Sequence, residues 1–250
     1  MTGVLDGRVV FVTGASRGLG AAMAVGMAAA GARVVAAARS ADQLADVVAC
    51  DPDRISAMPL DVADAADCAT AVDRMVVSVG RIDVLVNNAG VAPAGDILTQ
   101  APEVWRRTLE INVVAPLMLA REAAKHMILQ GGGGKIINIA SGTGVRGKPG
   151  LVVYSASKAA LIRMTEALAA ELAPHDIQVT AIAPGAFRTD AQREVTESPE
   201  LLAKRVRRIP ARRMAEPDEI VPLAVLLASP GSGFITGTAI VIDGGEVGKL

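Results

Sequence analysis

Seven short apolar runs, rich in β-branched residues, recur along the chain: Arg8–Thr13, Arg33–Ala38, Ile55–Leu60, Ile82–Asn87, Lys135–Ala140, Ile177–Ala183 and Ala239–Asp243. They are mostly continuous rather than alternating, the pattern of strands covered on both faces, as in a parallel sheet. Helical patterns fill the gaps: Gly18–Ala30, Ala41–Ala49, Ala63–Val79, Pro102–Leu129, Val153–Ala173 and Pro217–Ala228. Repeated strand-helix-strand units predict an α/β fold, a doubly wound, seven-stranded parallel sheet with helices on both faces and right-handed crossovers. With 51% apolar and only 2% aromatic residues, the core must be built from Ala, Val, Leu, Ile and Met.

No Pro/Ser-rich linker and no internal repeat divides the 250 residues, so 1–250 is expected to be one domain. The segment 187–215 breaks the rhythm with many charges, including Arg188, Arg193, Lys204, Arg205, Arg207, Arg208, Arg212 and Arg213. It is expected either to be a mobile helical lid or a solvated pair of surface helices. Ile220 to Ile242 is an uncharged stretch of 23 residues, but Ser229-Pro230-Gly231-Ser232-Gly233 interrupts it, so a buried helix, a turn and a strand are expected rather than a membrane span.

The formal net charge of −1 gives no global attraction for nucleic acid or an anionic membrane, and base-stacking aromatics are nearly absent. Two cysteines, Cys50 and Cys68, fit a reduced cytoplasmic protein without a disulfide framework. With only His126 and His175 as histidines, zinc binding and His-based nucleophilic catalysis have little material, and no metal is expected. Met1–Asp6 has neither a basic n-region nor an apolar h-region, so no signal peptide is expected.

The first strand runs into Thr13-Gly14-Ala15-Ser16-Arg17-Gly18-Leu19-Gly20 and then an Ala-rich helix. Glycine allows a tight turn and close backbone approach to a pyrophosphate, while the helix N-terminus offers free N–H groups and a positive dipole. The spacing G-x-x-x-G-x-G differs from the common dinucleotide fingerprint, G-x-G-x-x-G. After the second strand comes Ala38-Arg39-Ser40, with no carboxylate to accept from a ribose 2′-hydroxyl. Arg39, with Arg17, could instead pair with a 2′-phosphate, which favours NADP while leaving NAD possible. Asp61, before Val62, could accept from an adenine amino group or N-cap the next helix. Asn87-Asn88-Ala89-Gly90 ends the fourth strand, where ligands of such sheets bind.

Tyr154, the only tyrosine, is followed four residues later by Lys158. On a helix, i and i+4 share a face, so a phenol and an ammonium would stand one turn apart. A free phenol, with a pKa of about 10, is a poor proton exchanger near neutrality, and lowering it by roughly 3 units takes about 4 kcal/mol. A neighbouring ammonium, a cation on a bound cofactor and a helix N-terminus could together supply that.

Thr13–Gly20, Asp61-Val62, Asn87–Gly90, Asn112, Ser141, Tyr154-x-x-x-Lys158 and Pro184-Gly185, in this order, closely resemble the classical branch of the short-chain dehydrogenase/reductase family, over about residues 7 to 245. Ser141 lies 13 residues before Tyr154, the spacing of that family's active site. The resemblance implies a Rossmann-like sheet and hydride transfer between nicotinamide and a ketone or secondary alcohol. It implies Tyr154 as general acid or base and Lys158 as holder of the nicotinamide ribose. Ser141 would bind the substrate oxygen, and Asn112 would interrupt its helix and hold a relay water. It implies cofactor contacts from Gly14, Ser16, Arg17, Gly18, Leu19, Gly20, Arg39, Asp61, Val62, Asn88, Ala89, Gly90, Tyr154, Lys158, Pro184, Gly185 and Phe187, with Thr189 meeting the carboxamide.

For the substrate, the resemblance leaves 3-oxoacyl-carrier-protein reductases, gluconate 5-dehydrogenases and general ketone or alcohol oxidoreductases open, beside a catalytically silent sensor or scaffold. Carrier-protein reductases tend to present basic residues before the fifth and sixth strands. Here Leu129-Gln130-Gly131-Gly132-Gly133-Gly134 is neutral and Pro174-His175-Asp176 holds no strong base. Apolar residues on more than one face of Pro102–Leu129 and Val153–Ala173 point to a helix-pair interface, which in the resembled family gives homotetramers. Trp105 would sit near that interface or close the helix start.

Overall fold

The computed structural model describes residues 3–248; Met1, Thr2, Lys249 and Leu250, which belong to the expected domain span and, at the N-terminus, to the segment weighed for a leader, lie outside the described residues. Seven parallel strands form one sheet in the order β3-β2-β1-β4-β5-β6-β7. They are β1 (Val9–Thr13), β2 (Arg33–Ala38), β3 (Ile55–Pro59), β4 (Val84–Asn87), β5 (Gly134–Ile139), β6 (Ile177–Pro184) and β7 (Ala239–Ile242). All seven expected strands are present; β2 has the expected bounds and the other six are shifted at one or both ends by one or two residues.

The helices are α1 (Gly18–Ala29), α2 (Ala45–Cys50), α3 (Ala65–Val79), α4 (Pro102–Leu109), α5 (Ala115–Gln130), α6 (Gly142–Val145), α7 (Val152–Leu172), α8 (Arg193–Glu197), α9 (Pro199–Val206) and α10 (Val221–Ala228). Alternate residues of each central strand face opposite layers. Val10, Val12, Val34, Ala36, Ile137 and Ile139 pack with Met23 and Met27 of α1 and Leu227 of α10. Phe11, Val35, Leu85, Ile136 and Val179 pack with Val72 and Met75 of α3 and Leu119 and Met127 of α5. Covering on both faces explains why the central strands read as unbroken apolar runs. The uncharged stretch resolves into α10, a turn through Ser229–Ser232 and β7, and among the described residues no helix is long and apolar enough to cross a membrane.

The expected helix Pro102–Leu129 is two helices, because Glu110–Val114 forms a π-helical turn between α4 and α5. Pro116 is a physical reason: it has no N–H to offer the Asn112 carbonyl four residues earlier. The expected helix Ala41–Ala49 opens as a 3₁₀ turn, Ala41–Leu44, before α2, and Pro217–Ile220 likewise precedes α10. Within 187–215, α8 and α9 cover a small apolar cluster of Ala186, Ile209 and Met214, with Val195, Leu202 and Val206 packed against it.

The chain runs outward from β1 to β3 and then resumes beside β1 with β4. That reversal opens a crevice at the carboxyl ends of β1 and β4, where ligands of doubly wound sheets bind. A buried polar bridge fixes α7 above it. Asn87 Nδ2 donates to Asn138 Oδ1 (3.0 Å) and to the Pro116 carbonyl (3.2 Å), and Asn138 Nδ2 donates to Thr165 Oγ1 of α7 (2.9 Å). Asn138 and Thr165 are fully buried. Replacing Asn138 with Leu keeps the volume but strips a partner from both neighbours. At about 1–3 kcal/mol per buried group left unpaired, N138L is expected to lose roughly 2–4 kcal/mol. Chemical unfolding with a urea midpoint unchanged from wild type would contradict this.

Candidate active site

The glycine turn between β1 and α1 is shaped by contacts that leave no room for a side chain. Gly14 sits at φ 64°, and a Cβ there would lie 2.8 Å from the Ala89 Cα. Asn88 Nδ2 donates to the carbonyls of Thr13 and Gly14 (both 3.0 Å), and Thr13 Oγ1 accepts from the N–H groups of Asn88 and Ala89 (both 3.1 Å). Thr13, which drew no notice as a site residue, is thus the latch joining the two strand ends. The α1 N-terminus has no side-chain cap and no acidic residue in its first turn, whereas Asp64 caps α3 by accepting from the N–H groups of Ala66 and Asp67. Uncapped N–H groups at the end of a helix are suited to an anion.

Ser16, Gly18, Asn88, Ala89 and Thr189, among the expected cofactor residues, lie around this turn. Thr189 Cγ2 lies 3.4 Å from where a Gly18 Cβ would be, so the segment after β6 closes over the turn. A cavity of about 650 Å³ opens beside it, with Ser16, Gly18, Arg188 and Thr189 in its wall. Arg17 and Arg39 are exposed, and among the described residues neither side chain makes a hydrogen bond or ion pair. Asp61 is exposed at the end of β3 and accepts from the Ala63 N–H (3.0 Å), while the cap of α3 is Asp64, so its alternative role as that helix's cap does not hold. Phe187 departs from expectation: its ring is 3% exposed and packed into the core, because β6 and the bridge to Ala215 turn it inward. Only its main chain can face a ligand.

At the end of β5, Ser141 is the N-cap of α6. Its Oγ accepts from the Thr143 N–H (3.2 Å) and the Thr143 hydroxyl (3.0 Å). A hydroxyl has two acceptor lone pairs. With both engaged, the Ser141 O–H is left to donate, and Ser141 acts on the Tyr154 phenol as a donor would, lowering its pKa. Thr143 was also missed; its position two residues after a serine at a strand end was the available signal.

Tyr154 and Lys158 occupy the first two turns of α7, with Lys158 Nζ 5.9 Å from the phenol ring centre. Lys158 is buried and donates to the Ile139 carbonyl (2.7 Å). Burial pushes the Lys158 ammonium down to about 8. Burial also pushes the Tyr154 phenol above its ordinary value, with the Ser141 hydrogen bond opposing the rise. The expected acidification of the phenol by its neighbour is therefore absent in the folded chain by itself; desolvation outweighs it.

Asn112 is fully buried on the π-turn, confirming the expected break in the helix. Its Oδ1 accepts from the Val91 N–H (2.9 Å), and its Nδ2 donates to the Val91 carbonyl (2.8 Å) and to Ser157 Oγ (3.0 Å). Both amide hydrogens are thereby used in clamping the segment after Gly90 to α7, so the side chain has no donor left for a relay water. Ser157 is the third residue that the sequence did not single out.

A family model described as enoyl-(acyl carrier protein) reductase matches residues 14–246. The chain is 36% identical over 247 residues to the 2-dehydro-3-deoxy-D-gluconate 5-dehydrogenase of Escherichia coli (strain K12), covering 98% of this chain and 97% of that one. It is 35% identical over 246 residues to a 3-oxoacyl-(acyl-carrier-protein) reductase of Thermotoga maritima, covering 97% and 99%. A solved structure of a gluconate 5-dehydrogenase from Burkholderia cenocepacia J2315 in complex with NADP and tartrate matches with a TM-score of 0.93 at 33% identity, covering 98% and 97%.

Lys158 yields a stability test. Its folded value of about 8 lies below the ordinary 10.5, so between the two the unfolded chain binds more protons. Its penalty on folding is complete below about pH 8 and fades as pH rises toward 10.5. In thermal unfolding of the cofactor-free protein, wild type is expected to gain stability relative to K158M across that window. A difference independent of pH would contradict the buried ammonium.

Proposed function

That the chain belongs to the classical short-chain dehydrogenase/reductase family is the premise from which we propose its reaction: NADP-dependent hydride transfer between nicotinamide and a ketone or secondary alcohol. The observation that carries this reading is the meeting of a donor-oriented Ser141, Tyr154 and a buried Lys158 beside an uncapped, glycine-lined helix start. The cradle fits a dinucleotide. Gly14, Gly18 and Gly20 would pass the pyrophosphate close to the backbone of α1, and Arg17 and Arg39, both without ion partners among the described residues, would meet a 2′-phosphate. Ser16, Leu19, Asp61, Val62, Asn88, Ala89, Gly90, Pro184, Gly185 and Thr189, with the main chain of Phe187, would line the rest.

NADPH held there would supply the hydride and, in its oxidised form, a positive charge that favours the phenolate. The chain's residues do the remainder. Ser141 donates to the carbonyl oxygen, where negative charge develops, and Thr143 keeps that hydroxyl pointed as a donor. Tyr154 delivers the proton to the same oxygen. Lys158 would hold the ribose through the same ammonium that donates to the Ile139 carbonyl. Asn112 positions α7 against the Val91 segment through Ser157, and a relay water, if used, would rest on its main-chain carbonyl.

The substrate class favoured is a polyhydroxylated keto acid, supported by the gluconate-type relatives and by the neutral loop before β5, which offers an acidic carrier no cations. Residues 187–215 serve as the lid of a single domain spanning 1–250. Leu109, Val114, Leu117 and Ile128 of the α4–α5 region are exposed, as is Phe234 before β7, which supports a homotetramer built on both faces. A cytoplasmic location is part of the same proposal, supported by the free Cys50 and Cys68.

Two outcomes test the reading. Tyr154→Phe is expected to lower turnover by on the order of 10²–10⁴-fold, the usual share of acid–base catalysis, with NADPH binding retained in fluorescence titration. Full activity would refute the acid assignment, and NADPH binding by a wild type inert toward every ketone would favour the silent sensor. Arg39→Ala is expected to raise the KM for NADPH by roughly 10- to 100-fold, from about 1.5–3 kcal/mol per hydrogen bond to a charged group, and to leave NADH unaffected.

A further inference from the structure

We propose that Lys148 and Arg208, flanking the Arg205–Glu246 ion pair, form a subsite that binds the carboxylate of the substrate at the mouth of the cleft. The proposal rests on the hydride-transfer reading of that cleft and deepens it by naming the groups that select the substrate.

Three separate segments meet there. Lys148 lies on the loop between α6 and α7, six residues before Tyr154, and its N–H donates to Ser155 Oγ (3.3 Å). That bond ties the loop to the residue next to the phenol. Arg205 and Arg208 lie on α9 and just after it. Glu246 lies on the C-terminal segment, whose Val247 Cγ2 is 3.1 Å from where a Gly142 Cβ would be, one residue past Ser141. Ile209 and Pro210 pack against Gly244 and Gly245 of that segment, bringing the end of the lid onto the same edge of the cleft.

Among the described residues the charges at this edge do not balance. Glu246 is held by both guanidinium nitrogens of Arg205, at 2.5 and 2.7 Å. Lys148 feels Arg205 and Arg208 as repulsive neighbours and Glu246 as the attractive one. Among the described residues neither the Lys148 ammonium nor the Arg208 guanidinium makes a hydrogen bond or ion pair, and both are exposed. Among the described residues, Lys148, Arg205 and Arg208 thus share the Glu246 carboxylate, next to the segment that touches Gly142. Partial burial, and after it the repulsion of Arg205 and Arg208 against the attraction of Glu246, holds the Lys148 ammonium below its ordinary value. A substrate carboxylate would relieve that repulsion and would fix which carbonyl carbon faces Ser141 and Tyr154.

The test uses NADPH-loaded protein, titrated calorimetrically with L-tartrate, with L-threitol as its uncharged counterpart, and with inorganic phosphate. Tartrate is expected to bind at least tenfold more tightly than threitol. K148Q and R208Q should each weaken tartrate about tenfold and leave the NADPH dissociation constant unchanged. In turnover, the preference for 5-keto-D-gluconate over L-sorbose, which carries a hydroxymethyl group in place of the carboxylate, should fall at least tenfold in either variant. Equal tartrate affinity in wild type and the double variant would overturn the subsite, as would tighter binding of phosphate than of tartrate. Loss of tartrate binding in the double variant of a protein that reduces no ketone would uphold the subsite and sink the reaction. Turnover indifferent to the carboxylate would do the reverse.

Discussion

The attachment of α7 to β5 is the constraint on which the rest of this molecule depends. Lys158 reaches from the helix to the Ile139 carbonyl, Thr165 accepts from Asn138 of the strand, and the Lys158 backbone passes so close to Gly144 that a Cβ there would lie 2.7 Å from its carbonyl carbon. These contacts set the height of the phenol over the strand end where Ser141 stands. A helix free to slide by one residue would carry Tyr154 about 1.5 Å along its axis, enough to lose a hydrogen bond. Polar groups buried this deeply cost stability unless each finds a partner, so their satisfaction fixes the register more strictly than apolar packing would.

Burial creates the site and also opposes its chemistry. It raises the phenol and lowers the ammonium, each toward its neutral form. Ser141 pulls the other way, and it does so because Thr143 occupies its acceptor positions. The protein thus arrives with hydrogen-bond directions already set, while the charge that would make the phenol a ready acid at neutral pH is not supplied by its helix neighbour. Preorganised donors of this sort cost nothing to reorient when charge appears on a substrate oxygen.

The charged segment after β6 gains meaning from what lies across from it. Taken alone, its arginines fit a solvated surface, and several of them do pair locally, Arg193 with Asp190 and Arg213 with Glu219. Arg205 is different: its partner, Glu246, is 41 residues away on the C-terminal segment. That pair, with the apolar cluster beneath α8 and α9, ties the segment to the edge of the cleft rather than leaving it in water.

Local chemistry made much of this legible in the amino-acid order. Continuous apolar runs specify strands buried on both faces, the glycines after β1 permit a turn that no other residue fits, and a tyrosine and a lysine four apart must share a helix face. Those are short-range facts, decided by backbone sterics and helix period. Tertiary structure decided what depends on residues distant in sequence. It set the reversal between β1 and β4, the inward turn of Phe187, the Thr13–Asn88 and Asn112–Ser157 clamps, and the desolvation that raises rather than lowers the phenol. It also gathered Lys148, Arg208 and Glu246 at one edge. Dielectric and distance govern each of these, and neither exists until the chain has folded.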